Sequence, residues 1–258
     1  MRWVGLKTLI RRECAVVLRN WGVTLAPPVI STALYFLVFG QVMRNRIGPV
    51  DGFLFDRFVA PGLVVLSVIP GSFIHTAAGL LGARIFRYIE ELLVAPLPDW
   101  IILTGYVIGG VLRGSMVAAA VTATALLFIP PEIHSIVASG GALLMAALAT
   151  ALLGFITSTF AKSFEHVTTA LILIVAPLTY IGGVFTPIST LPEWAQRLSF
   201  ANPMFYFVNA LRFGVLGVSD VPIDLAMSFG FAFVAALLVA AIMRLRRGSA
   251  LRGEGFNA

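Results

Sequence analysis

The 258 residues are 59% hydrophobic and only 12% charged, with a mean hydropathy of +0.96, whereas a soluble domain carries about twice that charged fraction. This composition excludes a soluble protein and predicts an all-α integral membrane protein. The formal charge of +6 reads as a basic rim meeting anionic lipid headgroups. A nucleic-acid partner has little support, because no basic patch is interleaved with stacking aromatic residues.

In chain order, residues 1–20 form the first predicted element. On a helical wheel Trp3, Leu6, Ile10, Cys14 and Val17 share one side, while Lys7, Thr8, Arg11, Arg12 and Arg19 fall on another and Glu13 interrupts the apolar edge. Such a pattern suits a helix lying in the membrane interface; the plainer alternative is a basic flank of the first span. A cleaved signal peptide is not expected, since the apolar segment that follows is too long for an h-region and ends in "FGQVMRNR" without a small-x-small site. Cys14 is the only cysteine, so no internal disulfide is available.

A hydrocarbon core of about 30 Å needs roughly 20 apolar helical residues. Six windows meet that requirement and are read as spans at 21–43, 58–83, 101–128, 135–160, 167–185 and 225–243. A shorter apolar run, Leu198 to Leu211, reaches only about 21 Å at 1.5 Å per residue, which is too short to cross. With six spans the termini share a side. Cytoplasmic termini put Arg2, Lys7, Arg11, Arg12, Arg19, Arg84, Arg87, Lys162, Arg244, Arg246, Arg247 and Arg252 inside, against Arg44, Arg46, Arg57, Arg197 and Arg212 outside, the asymmetry expected of cytoplasmic loops.

Between the second and third spans lies the charged stretch 84–99, "RIFRYIEELLVAPLPD". Helical spacing would gather Arg87, Glu90 and Glu91 on one face, with Ile89, Leu92 and Leu93 apolar, and Pro96 and Pro98 would end the helix and stiffen the return to the interfacial Trp100. Taken by itself, the stretch is equally an ordinary solvated loop.

The third span contains two overlapping GxxxG patterns, Gly105 with Gly109 and Gly110 with Gly114. Glycines at this spacing admit a close helix, either within one copy or across a dimer. Arg113 sits among them near mid-membrane, with no acid at matching depth. It is either a pathway or switch residue, or a structural arginine satisfied by carbonyls or headgroups. His75, in the second span, is read as a satisfied packing histidine.

After the fifth span, residues 187–217 predict two short helices. Thr190 and Glu193 have capping-box spacing, Asn202 is an N-cap followed by Pro203, and glycines at 214 and 217 mark the stop. Neither helix is long enough to span, so the pair reads as a re-entrant hairpin that serves as an outer lid, or alternatively as an amphipathic hairpin on the surface.

The stretch "PLTYIGGVFTPISTLPEWAQRLSFANPMFYFVNALRFGVLG" resembles the C-terminal signature of ABC-2 type permeases, the membrane subunits of one class of ATP-binding cassette exporters. The likeness is carried by Gly182, Gly183, Val184, Phe185, Pro187, Leu191, Pro192, Trp194, Asn202, Pro203, Tyr206, Arg212 and Gly217, and is extended by "APGLVVLSVI" and "IEELLVAPLPDW". It covers nearly the whole chain. The resemblance implies a bacterial inner-membrane exporter subunit that pairs with a second permease copy, most simply a homodimer. It also implies docking on a separate ATPase through a coupling helix between spans two and three, here Arg84, Arg87, Glu90, Glu91, Pro96 and Pro98. The hairpin residues Gly183, Phe185, Pro187, Trp194, Asn202, Pro203 and Tyr206 become the expected outer gate.

No phosphate-binding GxxxxGK[ST] loop is present: Lys7 follows Leu6, and Lys162 follows Ala161. ATP and Mg²⁺ are therefore expected on the partner ATPase, with no cofactor or metal on this chain. Its spans contain no carboxylate pair, metal-spaced histidine cluster or Ser-His-Asp set, so it is not read as an enzyme. An ion-gradient-driven secondary transporter is the runner-up, and a membrane assembly subunit a third class. The four tryptophans fall at span ends, and the remaining lining is Phe, Leu, Val and Ala. That composition favours a hydrophobic or amphipathic substrate such as a drug, lipid or glycolipid.

Overall fold

The computed structural model describes residues 2–38, 50, 52–89, 98–130 and 133–246. α1 (Arg2–Arg19) leads into α2 (Trp21–Tyr35), followed by α3 (Phe55–Ile85), α4 (Asp99–Ala125) and α5 (Ile136–Phe160). α6 (Phe164–Ala170) passes through a π-helical turn, Leu171–Val175, into α7 (Ala176–Ile181). A 3-10 turn at Ile188–Thr190 precedes α8 (Glu193–Phe200), α9 (Pro203–Leu216) and α10 (Ile223–Arg246). Among the described residues, six stretches are long and apolar enough to cross a membrane: Trp21–Val38, Phe55–Ile85, Asp99–Ala125, Ile136–Phe160, Phe164–Ile181 and Ile223–Arg246. The molecule is an all-α, multi-pass membrane protein.

α3 is the central post. Its 31 residues extend about 46 Å at 1.5 Å per residue, and Phe58, Val65, Val68, Ile69, Phe73 and Leu81 along it are fully covered by neighbours. α4 and α5 pack most extensively against it, and glycines make the approach possible. A Cβ on Gly154 of α5 would lie 2.4 Å from the Phe73 carbonyl oxygen, and one on Gly114 of α4 would lie 2.0 Å from Ser72 Oγ. With little hydrophobic difference between helix and lipid, such close contact is what holds spans together.

The two GxxxG pairs point in different directions, and both act inside the chain. Gly110 and Gly114 admit Thr76 and Ser72 of α3 together with Ala151 and Ala147 of α5, whereas Gly105 admits Leu9 of α1 and Gly109 admits Glu13 of α1 together with His75 of α3. The groove for α1 corrects the expected helical wheel. Leu9, Glu13 and Val17, spaced four apart, are the buried stripe, while Trp3 is 80% exposed. Glu13, expected only to spoil an apolar edge, is as deeply buried in the bundle as Leu9. The reason is tertiary: α3 and α4 present a histidine and a glycine gap where that carboxylate enters.

The segment after α7 departs from expectation in one cap and agrees in the other. Pro192 occupies the N-cap of α8 without a side-chain bond, and Thr190 donates instead to the Pro187 carbonyl within the 3-10 turn. The proposed capping box is thus absent because its threonine is used one turn earlier. Asn202, by contrast, caps α9 by accepting from the Met204 N–H, with Pro203 in the first turn. Gly217 ends α9 in the left-handed conformation at φ 77°, a geometry that favours glycine. Gly214 does not end the helix. It lies within α9, where a Cβ would meet Ser139 at 2.5 Å. Val215 and Gly214 carbonyls accept from the His134 and Ser135 N–H groups, fastening the start of α5 to the end of α9.

α9 is buried from Met204 through Arg212, whereas α8 exposes Glu193, Trp194, Arg197 and Leu198. The two arms therefore differ: one is wedged among α3, α5 and α10, and the other lies at the rim. Arg212, counted with the residues on the outer side of the membrane, is only 1% exposed. It pairs with Asp220 at 3.3 Å, donates to the Gly183 carbonyl, and stands 3.9 Å from the centre of the Phe58 ring.

Candidate functional site

A cavity of about 430 Å³ opens between α2, α3, α4 and the α6–α7 span. Irregular backbone bounds it on three sides. Pro27 and Pro28 interrupt the hydrogen bonding of α2, Pro70 does the same in α3, and the π-helical turn Leu171–Val175 widens the fifth span. Proline removes a donor and keeps helices from closing tightly, and π-bulges in helices recur at functional sites. Volume and apolar lining fall in the range of small-molecule pockets.

Two features give this space chemistry. Arg113 reaches into it from α4 and makes no hydrogen bond or ion pair with any described residue, its Nε being buried without a partner. Of the two partners expected for a structural arginine, carbonyls and headgroups, no carbonyl of the described residues accepts from it. Tyr35 and Tyr180 line the cavity at the end remote from α1, and Phe185 packs on both, with ring centroids 6.0 and 6.2 Å away. Phe185 of the expected gate thus joins the last residue of α2 to α7, while Tyr35 and Tyr180 carry no motif that would have singled them out.

The other hairpin residues divide into supports and rim. Gly183, at φ 78°, supplies the carbonyl that Arg212 binds. Asn202 donates to the Leu178 carbonyl while capping α9. Tyr206 donates to the Phe200 carbonyl at 2.8 Å and stacks on Phe229, which ties α9 to α10. Pro187 is buried, Pro203 is half-buried, and Trp194 is exposed.

Of the expected docking residues, Glu90, Glu91 and Pro96 lie outside the described residues. Arg84 donates to the carbonyls of Ser158 and Ala161 at the end of α5, a cation placed where a helix dipole favours it, so its guanidinium faces the bundle. Arg87 is exposed and adopts a left-handed φ of 61°. Arg87 itself is therefore not in a helical conformation. Pro98, in extended conformation, is the N-cap of α4.

The end of the bundle that carries α1 holds a polar cluster the sequence did not reveal. Glu13 Oε2 is 3.3 Å from His75 Nε2, though not aligned as a hydrogen bond, and Glu13 Oε1 is 3.3 Å from an Arg12 nitrogen. Arg12 donates to the Tyr106 hydroxyl at 3.3 Å and lies 5.0 Å from the Tyr88 ring centre. His75, expected to be a satisfied packing residue, is half of a buried acid–imidazole contact. Burial alone would lower the pKa of Arg12, but Tyr106 and Glu13 hold it above its ordinary value. The Tyr88 phenol is raised by burial against the opposing pull of Arg12. The only legible signal for this cluster was one acid on the apolar side of an otherwise basic helix.

The family model described as ABC-2 type transporter matches residues 4–216. The chain is an ABC-2 type permease. It is 40% identical to the inner membrane transport permease YadH of Escherichia coli K12 over 97% of this chain and 98% of that one. Nodulation protein J of Rhizobium leguminosarum is 22% identical over 86% and 85% of the two chains, and the probable multidrug ABC transporter permease YbhR of E. coli is 25% identical over 66% of this chain and 46% of its own. As a permease of this class the chain is the non-catalytic membrane subunit of an exporter and works with a separate ATPase, to which ATP and Mg²⁺ belong.

Proposed function

We propose that this permease forms a homodimer in a bacterial inner membrane with its termini in the cytoplasm, and that the cavity between α2, α3, α4 and α6–α7 is its wall of the export pathway. The observation carrying this reading is the cavity itself, apolar on most sides and bounded by interrupted helices. α2 and α6–α7 expose Ile30, Leu34, Ile172 and Leu173 beside its mouth, an apolar flank suited to a second copy. The substrate class is hydrophobic or amphipathic, in keeping with the lining and with the relative YbhR, a probable multidrug permease.

In this reading α8 and α9 form the re-entrant outer hairpin, with Phe185 wedged against Tyr35 and Tyr180 as the gate. Residues 84–99 receive the ATPase, and force enters through α3 and α4, which leave and receive that segment and pack along each other. A rigid-body movement of these two helices alters the cavity they share.

Two experiments test the proposal. Replacing Glu90 and Glu91 together by Lys is expected to reduce co-purification of the ATPase about tenfold, because charge reversal at an interface costs at least one to two kcal/mol, while the permease remains inserted and monodisperse. Unchanged capture removes docking from this stretch. Phe185→Ala is expected to raise basal ATP hydrolysis or substrate leak in proteoliposomes without releasing the ATPase; transport and hydrolysis indistinguishable from the parent would mean that the aromatic contact is not a gate.

A further inference from the structure

We infer that Arg113 is an anion-recognition residue, and that the cavity takes an acidic amphiphile: an alkyl phosphate or carboxylate with its headgroup at the guanidinium and its tail against Leu63, Leu66, Ile74, Val117 and Val175. The first support is a contrast among the arginines. Arg12 has Glu13 and Tyr106, Arg84 has the Ser158 and Ala161 carbonyls, Arg212 has Asp220 and Gly183, and Arg244 stands 3.8 Å from the centre of the Phe160 ring. The Nε atoms of Arg84, Arg212, Arg244 and Arg113 are all buried without a partner, but only for Arg113 among these four is the rest of the guanidinium also without a bond, ion pair or ring contact among the described residues.

Position supplies the second support. Arg113 lies fourteen residues after Asp99 in the 27-residue α4, near the middle of the span, where an unpaired guanidinium is costly and its headgroup-seeking side chain is furthest from either interface. The acidic residues nearest in depth are occupied elsewhere: Glu13 meets His75 and Arg12 near the α1 end, and Asp220 meets Arg212 at the other. No carboxylate lines the cavity; its polar groups besides Arg113 are hydroxyls such as Ser31, Thr32, Ser67 and Tyr35.

Chemistry then selects the ligand. A guanidinium presents a planar fork of donors that matches the two oxygens of a carboxylate or phosphate, and the low dielectric strengthens that match. A neutral tail alone leaves the charge uncompensated, and a cationic amphiphile is repelled. Anion binding offsets the cost of holding Arg113 at this depth, and the Ser31 and Thr32 hydroxyls can donate to remaining anion oxygens.

This inference rests on the pathway reading of the cavity. It is tested on the full-length permease alone in phosphatidylcholine nanodiscs, so ATPase capture and anion recognition fail independently. Dodecyl phosphate is expected to bind at least about tenfold more tightly than dodecanol and to exceed dodecyltrimethylammonium by more, as one charge-assisted pair allows. Arg113→Met should reduce dodecyl phosphate to the level of dodecanol, and Arg113→Lys should retain part of the preference. Arg246→Met, exposed at the end of α10, controls for general attraction to the basic surface and should leave the preference intact. Replacing part of the phosphatidylcholine by phosphatidylglycerol separates two sources: loss of dodecyl phosphate binding identifies a membrane lipid headgroup as the occupant, and retention identifies a single-chain amphiphile. The proposal is overturned if dodecyl phosphate and dodecanol bind equally to the parent protein, or if a monodisperse Arg113→Met protein keeps the phosphate preference.

Discussion

Replacing His75 by leucine is expected to loosen α1 from the bundle and to destabilise the permease by about 3 kcal/mol, the cost of stranding a buried carboxylate. Glu13 is 3% exposed, and its ion-pair partners among the described residues are His75 and the half-exposed Arg12. Once the imidazole is gone, the carboxylate either remains buried against leucine or leaves the groove formed by Gly105 and Gly109 and takes α1 with it. Glu13→Gln should cost less, because an amide is cheaper to bury than an ion, and the double replacement should recover much of the loss in a double-mutant cycle. Cys14, the single thiol and partly covered on α1, provides the readout. Its maleimide labelling rate should rise in His75→Leu and return toward the parent rate in the double variant. An unchanged rate in His75→Leu would mean that the contact does not hold α1.

Adding one methyl group at Gly154 is expected to cause the larger packing defect of two superficially similar changes. A Cβ there lies 2.4 Å from the Phe73 carbonyl oxygen and 3.2 Å from its carbonyl carbon. Neither atom is free to rotate away, so α3 and α5 must separate. Overpacking of this kind costs roughly 1–3 kcal/mol and sometimes more, and the lost interface is the one on which the central post depends. At Gly105 the same methyl meets the Leu9 side chain, with Cδ2 at 2.4 Å. That side chain can shift, and the helix it belongs to can lift without opening the bundle. Thermal unfolding in detergent should therefore fall markedly for Gly154→Ala and little for Gly105→Ala, while Cys14 labelling should accelerate chiefly in Gly105→Ala. Equal thermal loss would argue that α1 is as integral to the bundle as α5.

Much of this molecule was legible because lipid imposes simple rules. Charge-free windows marked the helices that can cross, and local chemistry marked some ends: Asn202 and Pro203 begin α9 and Gly217 ends it, since a cap needs only neighbours along the chain. The capping box at Thr190 failed for the same local reason, as a nearer carbonyl took its hydroxyl. The glycine pairs announced close contact without naming the partner. Their spacing is a property of one helix, whereas the choice between α1, α3, α5 and a second copy depends on how separate helices are arranged.

What the sequence determined by itself was the solvent, the helical class, the family likeness and the absence of an ATP-binding loop, because each rests on composition, local periodicity or contiguous motifs. Only the tertiary structure decided that Glu13 enters the bundle beside His75, that Arg212 is neutralised internally by Asp220, and that Phe185 bridges Tyr35 and Tyr180. It also left Arg113 facing a cavity without a partner among the described residues. Whether an intramembrane charge is satisfied is fixed by groups elsewhere in the fold, brought within a few ångströms by helix packing, and no pattern along the chain encodes that distance.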